Sequence, residues 1–311
     1  MALKIGTRGS PLALAQAYET RDLLQANVPA LAEEGAVEIV EIKTTGDKIQ
    51  DRRLSEVGGK GVFTKELDDA LFDGRIDVAA HSMKDVPTWL PDGILLPTML
   101  EREDVRDVFI SPKAASFADL PDGSVIGTPS PRRQAIILAK YPNLKITLFR
   151  GNVQTRLRKL DEGEADATML ALAGLNRLDM SHIATRIMEP EDMLPSAGQG
   201  AIGLTCREDD SATLDFITVL DHLPTSICVN AERAMLDVLG GTCHTPIAGY
   251  AQLDDGMKNL RIRGIVAEPD GTKVWSGERF GPVADTYAMA TDLGAELRAS
   301  AGEAYFEALA E

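Results

Sequence analysis

Arginine and lysine side chains concentrate where loops are predicted to lead into helices. Their positions are Arg8, Lys60, Lys84, Arg132, Arg133, Arg150, Arg156 and Arg177. This is unexpected in an acidic chain with a formal net charge of -16. Because guanidinium groups bind carboxylates through paired hydrogen bonds and stay charged at neutral pH, several together favour a ligand that bears several carboxylates. The alternative is a solvated, ion-paired helix face, which we prefer for Arg158 and Lys159 beside Asp161 and Glu162.

A histidine and a carboxylate stand in the segment His81–Pro87, which follows a strand-like run at Ile76–Ala80. Open α/β sheets bind ligands at the carboxyl ends of their strands, so Asp85 is a candidate acid or base at such a position. On spacing alone, a carboxylate beside Lys84 is more often simply ion-paired. We expect His81 to be structural.

The three cysteines, Cys206, Cys228 and Cys243, are widely spaced and lack a CxxC pair or a histidine-rich partner set. This pattern predicts neither a disulfide framework nor a metal site. Cys243 lies in the segment 239–246 (LGGTCHTP), where two glycines permit backbone angles that expose a thiol. The ordinary alternative is a cysteine that packs as a small, buried, apolar side chain, which is what we expect of Cys206 and Cys228.

Two similar junctions are predicted to position the basic residues. Residues 5–11 (IGTRGSP) and 126–131 (IGTPSP) each predict a strand, a tight glycine turn and a helix that starts at Ser-Pro. Serine caps helices, and proline suits the first turn, where its missing N–H has no partner to lose. Helix N-termini bind anions, so two facing junctions would form an anion-binding cleft. Taken singly, each motif is more simply an ordinary helix start.

Strand-like and helix-like segments alternate through the first two thirds of the chain, which predicts α/β sheets. The predicted strands are 3–7, 37–43, 76–80, 108–110, 125–128, 146–149, 167–172 and 201–206. Helices are predicted at 10–27, 63–73 and 212–220 and from Ser130 and Asn152. From about Leu223, a helix, strands joined by a turn at Pro269–Gly271 and a long final helix to Glu311 predict a smaller α+β domain.

Length and charge limit the class of protein. The 311 residues suffice for two or three cores, since single cores stop growing near about 250–300 residues. No run of about 18 apolar residues occurs, and the N-terminal residues lack a secretory-signal pattern, which predicts a cytoplasmic protein. The acidic charge repels nucleic acid and anionic membranes, so neither is expected as a partner.

Taken in order, these segments resemble the hydroxymethylbilane synthase (porphobilinogen deaminase) family from end to end. The matching stretches are 5–14 (IGTRGSPLAL), 57–67 (VGGKGVFTKEL), 81–87 (HSMKDVP), 101–107 (EREDVRD), 150–157 (RGNVQTRL), 170–178 (LALAGLNRL), 196–203 (SAGQGAIG), 231–234 (AERA) and 241–246 (GTCHTP). Motifs this numerous in one order make the resemblance specific. Three residues depart from the family pattern: Pro129 and Pro131 in a turn that is usually GTSSxRR-like, and Thr242 before the cysteine.

The resemblance implies two α/β domains like the lobes of periplasmic binding proteins and a smaller C-terminal α+β domain. Residues 1–99 and 200–219 would form the first domain, 100–199 the second, and 220–311 the third. It also implies stepwise deaminating polymerisation of four porphobilinogen molecules on a dipyrromethane cofactor, attached to Cys243 as a thioether, followed by hydrolytic release of hydroxymethylbilane. Such an enzyme is a transferase of tetrapyrrole and haem biosynthesis, expected to be a cytoplasmic monomer without a metal.

The resemblance also assigns roles to individual positions. Asp85 matches the catalytic carboxylate, which stabilises the cationic species formed when porphobilinogen loses ammonia. The matches to cofactor-binding residues are Cys243, Ser82, Lys84, Asp85, Thr128, Ser130, Arg132, Arg133 and Arg156. The matches to substrate-binding residues are Arg8, Ser10, Arg150, Arg156, Arg177, Gln199, Lys60 and Phe63.

Two other functions fit parts of the pattern. A non-enzymatic anion-binding protein on the same two-lobed scaffold would explain the basic residues, but not Cys243 together with Asp85 or the third domain. An impaired relative is the other possibility, because Pro129 removes a potential anion-binding N–H.

The segment Asp47–Gly61, rich in glycine and charge, is either a mobile flap or a plain exposed connection.

We predict that Cys243→Ala is inactive, because it removes the attachment point of the dipyrromethane. Intact-mass measurement should find it lighter than the parent by the cofactor mass in addition to the side-chain change. Its melting temperature should fall, since a ligand attached only to the folded chain is lost. Cys206→Ala and Cys228→Ala are the matched controls and should keep the attached pyrroles. Covalent dipyrrole on the Cys243→Ala protein would place the attachment elsewhere.

Overall fold

Helices and strands alternate along the chain much as the sequence predicts. A computed structural model describes residues 2–48, 61–240 and 245–310. The strands are β1 (Leu3–Arg8), β2 (Val37–Ile42), β3 (Val78–Ser82), β4 (Ile94–Met99), β5 (Asp107–Ile110), β6 (Val125–Gly127), β7 (Lys145–Thr147), β8 (Ala167–Ala171), β9 (Arg186–Met188), β10 (Ile202–Arg207), β11 (Ile247–Leu253), β12 (Asn259–Ala267) and β13 (Val274–Pro282). The helices are α1 (Pro11–Asn27), α2 (Thr45–Lys48), α3 (Lys65–Phe72), α4 (Pro131–Lys140), α5 (Val153–Asp161), α6 (Leu172–Asn176), α7 (Ser211–Ile217), α8 (Leu223–Leu239), α9 (Thr286–Ala301) and α10 (Glu303–Ala310). None of the described helices combines the length and the apolar character that a membrane span requires.

The first of two units is built on a five-stranded sheet. It comprises the described residues of Met1–Ile49, Gly58–Glu103 and Gly200–Ile227. The strand order is β2-β1-β3-β10-β4, in which β1 is parallel to β2 and β3, and β10 is antiparallel to β3 and β4. Ile5 and Leu24 are fully buried in the core that this sheet shares with α1. A strand from late in the chain thus lies between two early ones.

The second unit repeats this strand arrangement. It comprises the described residues of Asp104–Gln199 and Cys228–Glu311. Its five-stranded sheet has the order β7-β6-β8-β5-β9, with β6 parallel to β7 and β8, and β5 antiparallel to β8 and β9. Each sheet therefore has three parallel strands followed by one strand antiparallel to both neighbours. The predicted pair of similar α/β folds is confirmed.

The C-terminal part of the second unit is a smaller α+β fold, which confirms the rest of the predicted fold class. The antiparallel strands β11, β12 and β13 form a three-stranded sheet, and the predicted turn at Pro269–Gly271 joins the last two. Leu293 and Leu297 of α9 are buried against this sheet. Both parts belong to one unit, so the predicted domain boundaries stay predictions.

The single long helix predicted to run to Glu311 is wrong. The chain forms two helices, α9 and α10, which Gly302 separates. Gly302 adopts φ +87°, a left-handed conformation that residues with a Cβ rarely adopt. Its backbone N–H donates to the Arg298 carbonyl and so closes α9. The helical pattern concealed this break, because one glycine inside such a pattern is often tolerated.

Gly200→Ala tests a close backbone approach in the first unit. Gly200 has φ +89°, and a Cβ there would lie 2.4 Å from the Glu103 carbonyl oxygen. The matched control is Gly35, with φ +82° and no atom within 4 Å of such a Cβ. We expect Gly35→Ala to lower the free energy of unfolding by about 1–2 kcal/mol, and Gly200→Ala by about 1–3 kcal/mol more through overpacking. Urea unfolding measures both losses, and equal losses would contradict the close approach.

Candidate active site

Both predicted Ser-Pro junctions start helices. At α1, the Ser10 hydroxyl accepts a hydrogen bond from the Ala13 backbone N–H at 3.3 Å. At α4, the Ser130 hydroxyl accepts one from the Arg133 backbone N–H at 3.4 Å, and the Ser130 N–H donates to Thr128 Oγ1 at 3.2 Å. A proline occupies the first position of each helix. The two junctions share one local structure, in which each serine caps its own helix.

Five predicted site residues, Arg8, Ser10, Phe63, Ser82 and Asp85, line one pocket of the first unit. The parallel strands β1 and β3 end at the same edge of their sheet, with Arg8 and Ser82 as last residues. A 3-10 turn follows β3 directly and carries Asp85 to that edge. The full lining is Arg8, Ser10, Leu12, Ala13, Gln16, Phe63, Thr64, Ala80, His81, Ser82 and Asp85. Asp85 thus lies beside a basic residue at the carboxyl ends of two parallel strands.

Asp85 faces a positive charge in this pocket. Arg8 Nη1 lies 3.7 Å from Asp85 Oδ2, which is within ion-pair range but too long for a strong hydrogen bond. The side chains of Arg8 and Asp85 are 22% and 33% exposed, so both are accessible to a ligand. The Arg8 guanidinium carbon also lies 4.1 Å from the centroid of the Phe63 ring. This cation–π contact holds the guanidinium beside the carboxylate.

Ser82 and His81 are held by partners that the sequence did not reveal. Gln16 on α1 donates its side-chain N–H to Ser82 Oγ at 3.1 Å. His81 is buried, and its Nε2 lies 3.0 Å from Thr205 Oγ1 on β10. Burial, with a smaller contribution from the Arg8 charge, lowers the pKa of His81 to about 4. His81 is therefore neutral at pH 7, in keeping with the structural role expected of it.

A buried ion cluster in the second unit contains two of the predicted arginines. Asp107, the first residue of β5, is fully buried, and Arg132 and Arg133 on α4 are each 5% exposed. The Nη2 atoms of both arginines donate to the Asp107 carboxylate at 2.7 Å. Arg132 also donates to the Leu194 carbonyl, and Arg133 to the Met169 carbonyl on β8. The two guanidiniums therefore hold α4 against β5 and β8.

This cluster carries more positive than negative charge. Burial alone would raise the pKa of Asp107, but the charges of Arg132 and Arg133 hold that pKa well below its usual range. Gln199 donates its side-chain N–H to Asp107 Oδ1 at 2.9 Å. One carboxylate thus faces two guanidiniums, and Arg132 Nε is buried without a hydrogen-bond partner in the described part of the chain. Such a cluster favours one further anion.

Helix α5 contains basic residues from both predicted groups, the candidate ligand-binding residues and the ion-paired surface residues. Near its start, Arg156 Nε donates to the Gly151 carbonyl at 2.9 Å. Arg158 is exposed and ion-paired with Glu162 at 2.7 Å, which confirms the solvated-face interpretation for this residue. The remaining basic residues predicted in the described part of the chain are half-buried, namely Lys84, Arg150 and Arg177.

Two predicted residues, Lys60 and Cys243, lie outside the described residues, as does most of the segment Asp47–Gly61. Their roles stay predictions. Cys206 and Cys228 are buried, as expected of structural cysteines. Burial raises the pKa of Cys206 to about 11, so its thiol is a poor nucleophile at neutral pH.

We did not predict Asp107, Gln16 or Thr205 as site residues from the sequence. A signal did exist for Asp107, because a carboxylate opens a short apolar strand, and buried carboxylates are almost always paired with cations. No comparable signal exists for the other two, whose partners Ser82 and His81 lie 66 and 124 residues away in the sequence.

The fold and the two groups of charged residues define an α/β protein suited to a small anionic ligand. The family model described as "porphobilinogen deaminase, dipyromethane cofactor binding domain" matches residues 3–215. The model described as "porphobilinogen deaminase, C-terminal domain" matches residues 226–299. The chain belongs to the porphobilinogen deaminase family, whose members are transferases with a dipyrromethane cofactor. The family, enzyme class and cofactor predicted from the sequence are confirmed.

Relatives with this name span nearly the whole chain. The chloroplastic porphobilinogen deaminase of Oryza sativa subsp. japonica is 57% identical over 310 residues, which cover 99% of this chain and 86% of that protein. The porphobilinogen deaminase of Paracoccus denitrificans is 51% identical over 305 residues, covering 98% and 96%. Among solved structures, the methionine-binding protein MetQ matches with a TM-score of 0.44 and 15% identity, over 70% of this chain and 89% of that one.

The stability of the chain should depend on protonation of His81. In the unfolded chain His81 takes up a proton near pH 6.5, whereas in the folded protein it stays neutral down to about pH 4. Falling pH across this interval therefore favours the unfolded chain, by about 3 kcal/mol for the full shift. Asp68, whose pKa burial raises to about 6, acts in the opposite direction, because the folded form binds its proton first.

His81→Gln separates the two effects, because it removes the histidine and leaves Asp68 in place. Urea unfolding between about pH 7 and pH 4 measures the free energy of unfolding of both proteins. We expect the parent to lose about 3 kcal/mol more than the variant over this range. Parallel pH profiles for the two proteins would show that His81 is not held neutral.

Proposed function

We propose that this chain is a hydroxymethylbilane synthase that joins four porphobilinogen molecules with loss of ammonia and releases the linear tetrapyrrole by hydrolysis. Membership of the porphobilinogen deaminase family supports the reaction class. The observation that carries the site assignment is the pocket of the first unit, where the accessible Asp85 carboxylate faces the Arg8 guanidinium. A carboxylate beside a cation is suited to a substrate with N–H donors and carboxylates of its own.

The buried cluster of the second unit fits a dipyrromethane with acidic side chains. Arg132 and Arg133 share the single carboxylate of Asp107, and Arg132 Nε is buried without a partner among the described residues. One further carboxylate would balance this excess charge. We therefore assign Thr128, Ser130 and the two arginines to cofactor binding. When bound, the cofactor supplies the pyrrole carbon to which the first substrate is joined.

Asp85 is the catalytic residue in this proposal. Its carboxylate accepts hydrogen bonds from pyrrole N–H groups and stabilises the positive charge that develops when porphobilinogen loses ammonia. It also assists the removal of the proton that the attacking ring carbon releases. Arg8, fixed over the Phe63 ring, binds a substrate carboxylate. Ser82, held by Gln16, provides a further polar contact at the same edge of the sheet.

Cys243 is the proposed attachment point of the cofactor. Support comes from the other two cysteines, which are both buried. Burial also raises the pKa of the Cys206 thiol to about 11, so little thiolate forms there at neutral pH. Cys243 stands in a glycine-rich stretch of the sequence, next to a histidine.

The alternative of a non-enzymatic anion-binding protein has lost its support, because the chain belongs to a family of enzymes. We also propose that the protein is a monomer in the cytoplasm, with neither nucleic acid nor a membrane as partner. The net charge of -16 supports the latter point, since phosphate-rich surfaces repel an acidic chain. Impairment by Pro129 would appear as low turnover of the cofactor-loaded parent.

Asp85→Ala should fold and yet lose turnover. The side chain is 33% exposed, so its truncation should change the melting temperature little. Removing the counter-charge to the developing cation should lower kcat by about 100-fold to 1000-fold. Asp22→Ala, which breaks an exposed ion pair with Arg21 on α1, is the matched control and should keep its activity. Near-parent turnover of Asp85→Ala, with cofactor content equalised by intact mass, would refute the catalytic role.

A further inference from the structure

The Phe63 ring lies between the Arg8 guanidinium and the backbone of Gly46 in the first unit. We propose that Gly46 is a positioning residue: its missing side chain admits the Phe63 ring, and the ring holds Arg8 opposite Asp85. The inference rests on the proposed roles of Arg8 and Asp85. Gly46 itself is buried and is not among the described residues that line the pocket.

The space beside Gly46 is filled by the ring. A Cβ at this position would lie 2.2 Å from Phe63 Cε1, 2.4 Å from Cδ1 and 2.9 Å from Cζ. A Cβ essentially never approaches another heavy atom closer than 3.0 Å. Because Cζ lies on the axis about which the ring turns, rotating the ring in place leaves a close contact. Any side chain at position 46 therefore displaces the Phe63 side chain as a whole.

Hydrogen bonds hold Gly46 at this short distance from the ring. The Gly46 backbone N–H donates to the carbonyl of Val62, the residue before Phe63, at 3.1 Å. Glu66, in the first turn of α3, accepts from the Thr45 backbone N–H at 2.8 Å and from the Thr45 hydroxyl at 2.5 Å. Hydrogen bonds to a carboxylate are stronger than those between neutral groups. The chain is thus tied together before and after Phe63, so the space for the ring is fixed.

The ring in turn limits the positions open to Arg8. The guanidinium carbon lies 4.1 Å from the ring centroid, and Nη1 lies 3.7 Å from Asp85 Oδ2. The Arg8 side chain is 22% exposed, so without the ring it would have freedom to turn into solvent. Contact with an aromatic face fixes the guanidinium, whose N–H groups then stay in place for a carboxylate. A group oriented in advance binds more tightly, because less freedom is lost on binding.

Displacing the ring should weaken substrate binding more than the chemical step. In the proposed function Arg8 binds a substrate carboxylate, whereas Asp85 stabilises the developing positive charge. We expect Gly46→Ala to raise KM for porphobilinogen about tenfold, as for one weakened hydrogen bond to a charged group, and to change kcat by less than about threefold. A general loss of folded protein would instead lower kcat and leave KM unchanged. Steady-state kinetics therefore separate positioning from a merely structural role.

A double-mutant cycle shows whether Gly46 acts through the ring. Phe63→Leu keeps an apolar side chain but removes the aromatic face, and it should raise KM about as much as Gly46→Ala does. Adding Gly46→Ala to Phe63→Leu should raise KM no further, because the new methyl group no longer meets a ring. Independent effects would multiply in the double variant.

Nuclear magnetic resonance gives a readout that needs neither substrate nor turnover. A guanidinium over the face of an aromatic ring is shielded, so the Arg8 side-chain N–H resonance should lie upfield in the parent. Gly46→Ala and Phe63→Leu should both remove this upfield shift. Gly256→Ala is the matched control, since a Cβ at Gly256 would meet no atom closer than 3.8 Å. It should keep the Arg8 resonance, KM and kcat of the parent.

In folded Gly46→Ala, either a parent-like KM or a parent-like Arg8 resonance would overturn the inference, as would multiplied effects in the double variant. If Gly46→Ala fails to fold, the double variant decides the matter. Recovery of folding there shows that the methyl group meets the ring, and continued failure overturns the inference. A parent that does not convert porphobilinogen defeats the proposed function as well. That outcome differs from a converting parent whose Gly46→Ala variant is unchanged, which defeats the inference alone.

Discussion

The buried contact of Asp107 with Arg132 and Arg133 is the constraint on which the second unit depends. Removing one partner from a buried ion cluster costs about 3–5 kcal/mol, a large part of the roughly 5–15 kcal/mol that keeps a protein folded. The cluster joins β5, β8 and α4 at one point, and Gln199 brings a further loop to it. Because α4 starts at the Ser-Pro junction, the same contact fixes the position of Ser130.

The arginine–carboxylate contacts of the two units differ in how deeply they are buried. In the second unit the arginine–carboxylate contacts are 2.7 Å long and shielded from water. In the first unit, Arg8 and Asp85 are 3.7 Å apart and partly exposed. A short, shielded contact is committed to the fold, whereas a longer and accessible one can exchange its partner for a ligand. The distinction supports the proposed catalytic role of Asp85 and a structural role for Asp107.

Local chemistry was predictable from the residues themselves, whereas only the family resemblance implied the long-range grouping of residues 200–219 with residues 1–99. The helix starts at Ser10 and Ser130 depend on neighbouring residues and are found where predicted. The place of β10 between β3 and β4 depends on pairing with distant strands, which periodicity does not specify. The near-complete burial of Arg132 and Arg133 was missed because charged residues are usually exposed. Their partner, Asp107, is distant in the sequence and was not predicted as a site residue.

The wrongly predicted continuous final helix and the missed contact between Arg298 and Glu303 have one cause. On an unbroken α-helix, residues five apart lie about 140° apart around the axis, so Arg298 and Glu303 would not face each other. The left-handed Gly302 interrupts the helix between them. Only then can Arg298 make its paired contact with Glu303 while it also reaches the end of α8. A glycine that interrupts the helix thus permits the ion contact that holds α10 against α9.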